Sequence, residues 1–169
     1  MAPLSSSVRA LTQKYNYTPF MYIDYPHKSF WSKQFGDAEA REALESLFSK
    51  NKDAPVLFYL HMPYCQKQCY FCTCHVVITN DHEDVRHYMK YLHKEIDLLK
   101  RFFDERGIEP KITDIHLGGG SPTYIQEKEF DALIAQIDTL VPVKSLSEFT
   151  IEIYPRRVKP DRLKYYHAK

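Results

Sequence analysis

All four cysteines of this chain lie within residues 65–74, directly after the short apolar segment Val56–Leu60. Cys65, Cys69 and Cys72 have the spacing C-x3-C-x2-C, and Cys74 follows two residues later. Thiolates are soft ligands that suit iron–sulfur clusters, zinc and copper(I). Residues three and four apart converge if a loop curls once, whereas residues two apart in an extended segment point in opposite directions. We therefore expect Cys65, Cys69 and Cys72 to face one metal centre and Cys74 to point elsewhere.

A set of three converging thiolates favours a [4Fe–4S] cluster with one open iron. Such a cluster usually takes four thiolates, so three leave one iron available to a small molecule. Zinc stays an alternative, because His61, His75 and His82 are near in sequence. Structural zinc sites, however, usually show two C-x2-C-like pairs or histidines at knuckle spacing. A disulfide framework is less favoured still, because one short loop holds every cysteine.

The rest of the chain alternates strand and helix patterns. Short apolar or alternating runs predict strands at 56–61, 112–117 and 148–153. Apolar stripes at spacings of three and four predict helices at 38–49, 81–105 and 126–140, and Pro160 predicts the start of another. This alternation predicts an α/β fold with parallel strands and right-handed crossovers.

The first third of the chain carries weaker signals. Residues 1–14 are interpreted as a loose polar arm. Residues 15–35 are aromatic without a period, which favours an extended segment that wraps the domain or covers a cofactor. The predicted organisation is therefore an N-terminal arm and helix at 1–54, followed by a core at 55–169.

Three features fall at the predicted carboxyl ends of strands: the cysteine loop, the glycine run Gly118–Gly120 and Glu152. Sites in parallel barrel folds lie at this end. Glycines permit positive φ and close approach of the backbone to a ligand. A carboxylate between Ile151 and Ile153 needs a partner. Together these features predict one shared site.

Composition excludes some classes of protein. The net charge of +1 provides no broad field for nucleic acid or an acidic membrane. No apolar run approaches the roughly 20 residues of a membrane span, and the N-terminus lacks the apolar core of a secretory signal. We expect a reducing, cytoplasmic setting, with no nucleic-acid or membrane partner.

Three ordered motifs resemble one branch of the radical S-adenosylmethionine (SAM) enzymes, the oxygen-independent coproporphyrinogen III oxidases or dehydrogenases. They are Tyr59-Leu-His-Met-Pro-Tyr-Cys-x3-Cys-Tyr-Phe-Cys-x-Cys, Leu117-Gly-Gly-Gly-Ser-Pro-Thr-Tyr and Thr150-Ile-Glu-Ile-Tyr-Pro-Arg. The resemblance covers most of residues 15–169. It implies the N-terminal part of a partial (β/α)6 barrel, truncated after about three strands, from a longer enzyme.

The resemblance also implies roles for individual residues. The cluster ligands would be Cys65, Cys69 and Cys72. The residues that contact SAM would be Tyr59, Phe71, Gly119, Gly120 and Glu152. Structural roles compete with these: a tight turn for the glycines, a salt bridge for Glu152 and loop packing for Phe71. Cys74, His61 and His75 match the motif without an assigned role, and a structural histidine is the favoured interpretation of both histidines.

The implied function is a radical SAM oxidoreductase that decarboxylates coproporphyrinogen III anaerobically in haem biosynthesis. Its cofactors would be a [4Fe–4S] cluster and SAM, and its partners the porphyrinogen and an electron donor such as flavodoxin or ferredoxin. We expect the 169-residue chain alone to be inactive. Ser121 replaces a frequent threonine, and Tyr154 replaces a usual aspartate. A haem chaperone or a methyltransferase-like relative with the same core is therefore the alternative.

The ligand set leads to a first prediction about the metal. Protein purified without oxygen should contain iron and acid-labile sulfide, because three thiolates with an open position suit a cluster. Elemental analysis combined with a sulfide assay measures both. Stoichiometric zinc without sulfide would contradict the cluster and restore the structural zinc site.

Overall fold

The computed structural model describes residues 5–16, 30 and 32–169. By its contacts the chain divides into two units, 1–45 and 46–169, which are described separately. The helices are α1 (Ser6–Tyr15), α2 (Asp37–Lys50), α3 (His82–Arg106), α4 (Glu127–Ile137) and α5 (Pro160–His167). The strands are β1 (Pro55–Met62), β2 (Tyr64–Cys65), β3 (Val77–Ile78), β4 (Lys111–Gly119) and β5 (Glu148–Ile151).

The first unit contains α1 and most of α2. The prediction of a loose arm is wrong for α1, because the Ser5 hydroxyl caps this helix by accepting a hydrogen bond from the Val8 amide at 3.3 Å. A serine N-cap satisfies one of the amides that the first turn leaves without a partner. Most of the aromatic segment expected to wrap the domain lies outside the described residues.

The second unit is built on a parallel three-stranded sheet with the order β1-β4-β5. This confirms the predicted parallel α/β arrangement. Strand β5 ends at Ile151, two residues earlier than predicted, so Glu152 follows the strand. The Glu152 amide still donates to the Leu117 carbonyl at 2.9 Å, which keeps Glu152 beside the end of β4.

Helices α3 and α4 cover one face of the sheet, and their predicted apolar stripes are confirmed. Asp81 caps α3, and Gly107 ends it in the left-handed conformation at φ 59°. Helix α4 ends at Ile137, three residues before the predicted Leu140. The buried core that these helices form with the sheet comprises Leu60, Met62, Val85, Met89, Leu92, Ile96, Ile112, Ile115, Leu117, Ile125, Phe130, Leu133, Ile137 and Val143.

The other face of the sheet is open over the described residues. Leu57 and Tyr59 in β1 are 61% and 53% exposed. A continuous apolar run such as Val56–Leu60 is typical of a strand buried on both faces, but alternate residues of β1 are exposed. Successive side chains of a strand point to opposite faces, so only one set reaches the core beneath the helices.

A second, two-stranded sheet pairs β2 with β3 in parallel and frames the cysteine loop. The sequence analysis did not predict it, since two-residue strands carry no detectable period. The Tyr124 hydroxyl connects this region to the segment after β4, because it donates to the Thr79 carbonyl at 3.1 Å. Tyr88 on α3 donates to the carbonyl of His61, near the end of β1.

The packing leads to a prediction about stability. Leu133 is 0% exposed at the centre of α4. Leu133→Ala should lower the free energy of unfolding by about 2–5 kcal/mol, because it removes buried methyl groups and leaves a cavity. Leu98→Ala is the matched control on α3, where the side chain is 47% exposed, and it should cost about 0.5 kcal/mol or less. Denaturant titration measures both, and equal losses would contradict the assigned core.

Candidate functional site

The cysteine loop and the glycine run meet at the carboxyl ends of β1 and β4. Met62 pairs with Gly119 at the last position of the ladder. Beyond it, the Gly120 amide donates to the Met62 carbonyl at 2.8 Å, and the Ser121 amide donates to the Tyr64 carbonyl at 3.0 Å. These bonds bring two of the motifs, distant in sequence, to one end of the sheet.

The glycine run is required by the chain's own packing. Gly119 has φ +119°, and a Cβ atom there would lie 2.6 Å from the His61 ring. A Cβ atom on Gly120 would lie 2.9 Å from the Pro63 carbonyl oxygen and 3.0 Å from Cys65 Sγ. Distances this short exclude larger residues unless the backbone shifts. The tight-turn interpretation therefore accounts for these glycines, and any contact with SAM is additional.

The four cysteines are free thiols. The Cys65 carbonyl accepts the Thr79 amide at 3.0 Å, and Cys65 Sγ lies 3.4 Å from the Ser121 hydroxyl oxygen. The Cys72 amide donates to the Cys69 carbonyl at 3.0 Å, which makes a turn between these two cysteines. The backbone therefore turns once between Cys69 and Cys72.

Cys74 is exposed and lies near Cys72, Cys65 and Glu152, and its place outside the ligand set stays a prediction. Partial burial raises the pKa of Cys74, and the nearby Cys72, Glu152 and Cys65 groups add to this shift. The segment after Cys72 is not a strand, so the alternation of an extended strand does not apply to Cys74.

The donor chemistry of the loop fits an iron–sulfur cluster. Three partly buried free thiols at C-x3-C-x2-C spacing are the ligand type that such clusters use. Within residues 5–16, 30 and 32–169, no three His, Cys, Asp or Glu side chains are grouped closely enough to hold a metal ion. The ligand set Cys65, Cys69 and Cys72 therefore stays a prediction.

Glu152 lies on the open face of the sheet with both carboxylate oxygens engaged. The Gly119 amide donates to Oε2 at 2.9 Å, and His116 Nε2 lies 3.4 Å from Oε1. The flanking isoleucines suggested an apolar surrounding, but the side chain is exposed. Its carboxylate therefore has partners in the protein and remains accessible from the open side.

Tyr59 and His61 lie on the open face of β1, next to the Glu152 carboxylate. Burial raises the pKa of Tyr59, and the negative charge of Glu152 adds to the effect. The Tyr59 hydroxyl lies 3.0 Å from His61 Nδ1, and His61 Nε2 lies 3.3 Å from the His75 carbonyl oxygen. Since a carbonyl only accepts, Nε2 donates and Nδ1 accepts from Tyr59. These contacts support a structural role for His61.

Phe71 is not brought into this group by any described contact. It is 86% exposed on the cysteine loop, beside a fully exposed Tyr70. Loop packing, the competing interpretation of Phe71, is not what the structure shows. A role in contacting SAM stays a prediction.

Two polar residues on the open face, His116 and Thr150, were not identified as site residues by the sequence analysis. His116 Nδ1 lies 2.6 Å from the Thr150 hydroxyl oxygen, and the His116 ring stacks on Tyr59 with centroids 5.7 Å apart. A signal was present, because Asp114, His116 and Gly118 alternate with buried apolar residues along β4. Beneath them a shallow cavity of about 310 Å³ has the lining residues Leu57, Tyr59, Asp114, Ile115, His116, Glu148 and Thr150.

The chain is similar in sequence to known proteins. The chain is 31% identical over 160 residues to the oxygen-independent coproporphyrinogen III oxidase of Salmonella typhimurium, covering 95% of this chain and 33% of the relative. It is 33% identical over 146 residues to the protein of the same name from Mannheimia haemolytica, covering 86% of this chain and 94% of the relative. A search against models of protein families finds no match.

A solved structure has the same fold. It is coproporphyrinogen III oxidase (HemN) from Escherichia coli, described as a radical SAM enzyme. The TM-score is 0.71 at 25% identity, covering 94% of this chain and 33% of that one. The α/β fold with parallel strands is thus that of a radical SAM enzyme. The chain belongs to the oxygen-independent coproporphyrinogen III oxidase family, and it spans about a third of the length of the Salmonella and Escherichia relatives.

The geometry of the loop leads to a prediction about the cysteines. Anaerobic reconstitution should give close to four irons per chain, the content of one [4Fe–4S] cluster. Cys65→Ala, Cys69→Ala and Cys72→Ala should each abolish cluster binding, whereas Cys74→Ala should largely spare it. Iron content and visible absorption measure the outcome. Equal loss in all four variants would contradict the three-ligand assignment.

Proposed function

We propose that this chain provides the cluster-binding part of a radical SAM oxidoreductase that acts on coproporphyrinogen III. The observation that carries the proposal is the parallel register of β1, β4 and β5. It brings the cysteine loop, the glycine run and Glu152 to one end of the sheet. Membership of the oxidase family supports the reaction type, anaerobic oxidative decarboxylation in haem biosynthesis.

The proposed roles follow from the atoms available. Cys65, Cys69 and Cys72 hold the [4Fe–4S] cluster as thiolates, and Cys74 stays outside the ligand set. When bound, the cluster and SAM supply the one-electron chemistry that removes a hydrogen atom from the substrate. The exposed carboxylate of Glu152 accepts hydrogen bonds from polar groups of SAM. The Gly119–Gly120 backbone allows SAM to approach closely.

Two aromatic residues complete the proposed SAM site. The Tyr59 ring forms one wall beside Glu152, and the exposed Phe71 ring is available to pack against the adenine. Apolar contacts of this kind exclude water from the reacting atoms, which strengthens electrostatic interactions there. An electron donor such as flavodoxin or ferredoxin reduces the cluster, and the setting is cytoplasmic. No helix of the described residues combines the length and apolar character needed to cross a membrane.

The substrate is bound by a longer protein in this proposal. The open face of the sheet would be the interior of a partial (β/α)6 barrel, to which the 169 residues contribute about three strands. Orientation of a substrate near a reactive group depends on contacts made around it. Those contacts would come largely from further strands. The haem chaperone alternative is not favoured by the relatives described above, which carry the oxidase name.

The proposal predicts a difference between two proteins in one assay. The 169-residue chain should hold a cluster but form no product from coproporphyrinogen III. A chimaera, in which this chain replaces the matching third of the Escherichia coli relative, should form product. The assay is anaerobic turnover with reductant and SAM, followed by porphyrin analysis, and the Cys65→Ala chimaera is the control without a cluster.

Two outcomes would contradict this account. Substantial product from the 169-residue chain alone would show that further strands are dispensable. A folded chimaera with full iron content but no product would contradict the proposed function itself. Circular dichroism and iron analysis of the chimaera are therefore measured alongside the product.

A further inference from the structure

His116 occupies the centre of the open face. It pairs with Tyr59 of β1 on one side and with Thr150 of β5 on the other. Residues that are directly opposite on neighbouring strands present their side chains on the same face. The ring therefore stands between the strand that leads to the cysteine loop and the strand that leads to Glu152.

The His116 ring is held by three neighbours. Its Nδ1 lies 2.6 Å from the Thr150 hydroxyl oxygen and its Nε2 lies 3.4 Å from Glu152 Oε1. Its face stacks on Tyr59 with an angle of 17° between the rings. Both nitrogens and one face of the ring are thus occupied by protein groups.

These contacts define which atoms donate. An ionised carboxylate only accepts hydrogen bonds, so His116 Nε2 carries the proton and donates to Glu152. In the neutral ring Nδ1 then accepts, and the Thr150 hydroxyl is its donor. The result is a directed chain in which Thr150 donates to His116 and His116 donates to Glu152.

The chain of hydrogen bonds determines the orientation of the Glu152 carboxylate. Oε1 accepts from His116, and Oε2 accepts from the Gly119 amide at 2.9 Å. Two donors at the two oxygens restrict rotation of the terminal carboxylate, which is otherwise a soft torsion. Each oxygen keeps capacity for a further donor, and the exposed side of the carboxylate is where a ligand can supply it.

We propose that His116 is a positioning residue that sets the direction of the Glu152 carboxylate, and the tilt of the Tyr59 ring, for binding SAM. The proposal rests on the proposed function, since it takes Glu152 and Tyr59 as SAM contacts. His116 acts through these two residues and not on SAM itself. Orientation by a supporting residue matters because a ligand gains affinity from groups already held in the bound geometry.

A purely structural role for His116 would be to hold β4 to β5. The structural role and the positioning role depend on different atoms of the side chain, so three substitutions distinguish between these roles. His116→Phe keeps a ring against Tyr59 but removes both hydrogen bonds. His116→Gln keeps an N–H donor for Glu152 but removes the ring. Thr150→Val removes the hydrogen bond to His116 Nδ1 and leaves His116 and Glu152 themselves unchanged. Asp114→Asn is the control, because it changes a polar residue on the same strand and face.

The experiment measures the dissociation constant of SAM for the reconstituted 169-residue chain by anaerobic equilibrium dialysis. Iron content and the thermal unfolding midpoint are recorded for each variant. His116→Phe should weaken SAM binding by roughly fivefold to tenfold, somewhat below the range for a hydrogen bond to a charged group, because both residues are partly exposed. Thr150→Val should weaken it by about twofold to threefold. Asp114→Asn should stay close to the unchanged chain, and His116→Gln, which loses only the ring contact with Tyr59, should weaken SAM binding less than His116→Phe. All four variants should keep a normal iron content and unfolding midpoint.

Each other outcome has one meaning. If His116→Phe binds SAM as tightly as the unchanged chain, the inference is overturned while the SAM site stays intact. Should His116→Phe not fold, the same result in Thr150→Val overturns it. Equal weakening in His116→Phe and His116→Gln, with lowered unfolding midpoints in both, would show that His116 only stabilises the sheet. Absence of SAM binding by the unchanged chain, with iron and sulfide present, would overturn the proposed SAM site and this inference with it.

Discussion

The parallel pairing of β1 with β4 brings the cysteine loop and the glycine run to the same end of the sheet. Leu60 and Leu117, which pair with each other, are buried beneath the helices. A shift of β1 by one residue would turn Leu60 to the open face and would bury Tyr59 against the helices. Burial of the leucines therefore selects the register, and the register in turn places the exit of β1, with its cysteine loop, beside the glycine run. The position of the site therefore depends on the packing of the core.

The end of the ladder shows why the glycine motif and the cysteine motif occur together. The two segments approach so closely that a Cβ on Gly120 would contact both the Pro63 carbonyl and Cys65 Sγ. This approach allows the Gly120 and Ser121 amides to pair with carbonyls of the β1–β2 connection. Satisfied backbone groups make the strand exit rigid. The glycines thus stabilise the first cysteine of the loop as well as leaving space on the open side.

Much of this fold could be predicted because its signals are local. The stripe that includes Val85 and Leu92 identified α3, and Asp81 and Gly107 are residue types that begin and end helices. The two-residue pairing of β2 with β3 could not be predicted, since it depends on contacts between distant segments. The same holds for Cys74, whose neighbours Cys72 and Glu152 come together only in the folded chain. In the site, motif resemblance identified Glu152, but its partners required the structure.

Polar and apolar residues alternate along β4, and a count of its apolar residues does not show this alternation. Ile115 and Leu117 face the core, while Asp114 and His116 alternate with them on the open face. A central strand of a parallel sheet is usually apolar on both faces, and polar groups there need partners to offset lost hydration. His116 finds these partners in Thr150 and Glu152. The polar face is therefore satisfied within the protein, and it still presents an oriented carboxylate. A strand that carries such a face contributes less to the core, and the same feature makes it suitable as the floor of a binding site.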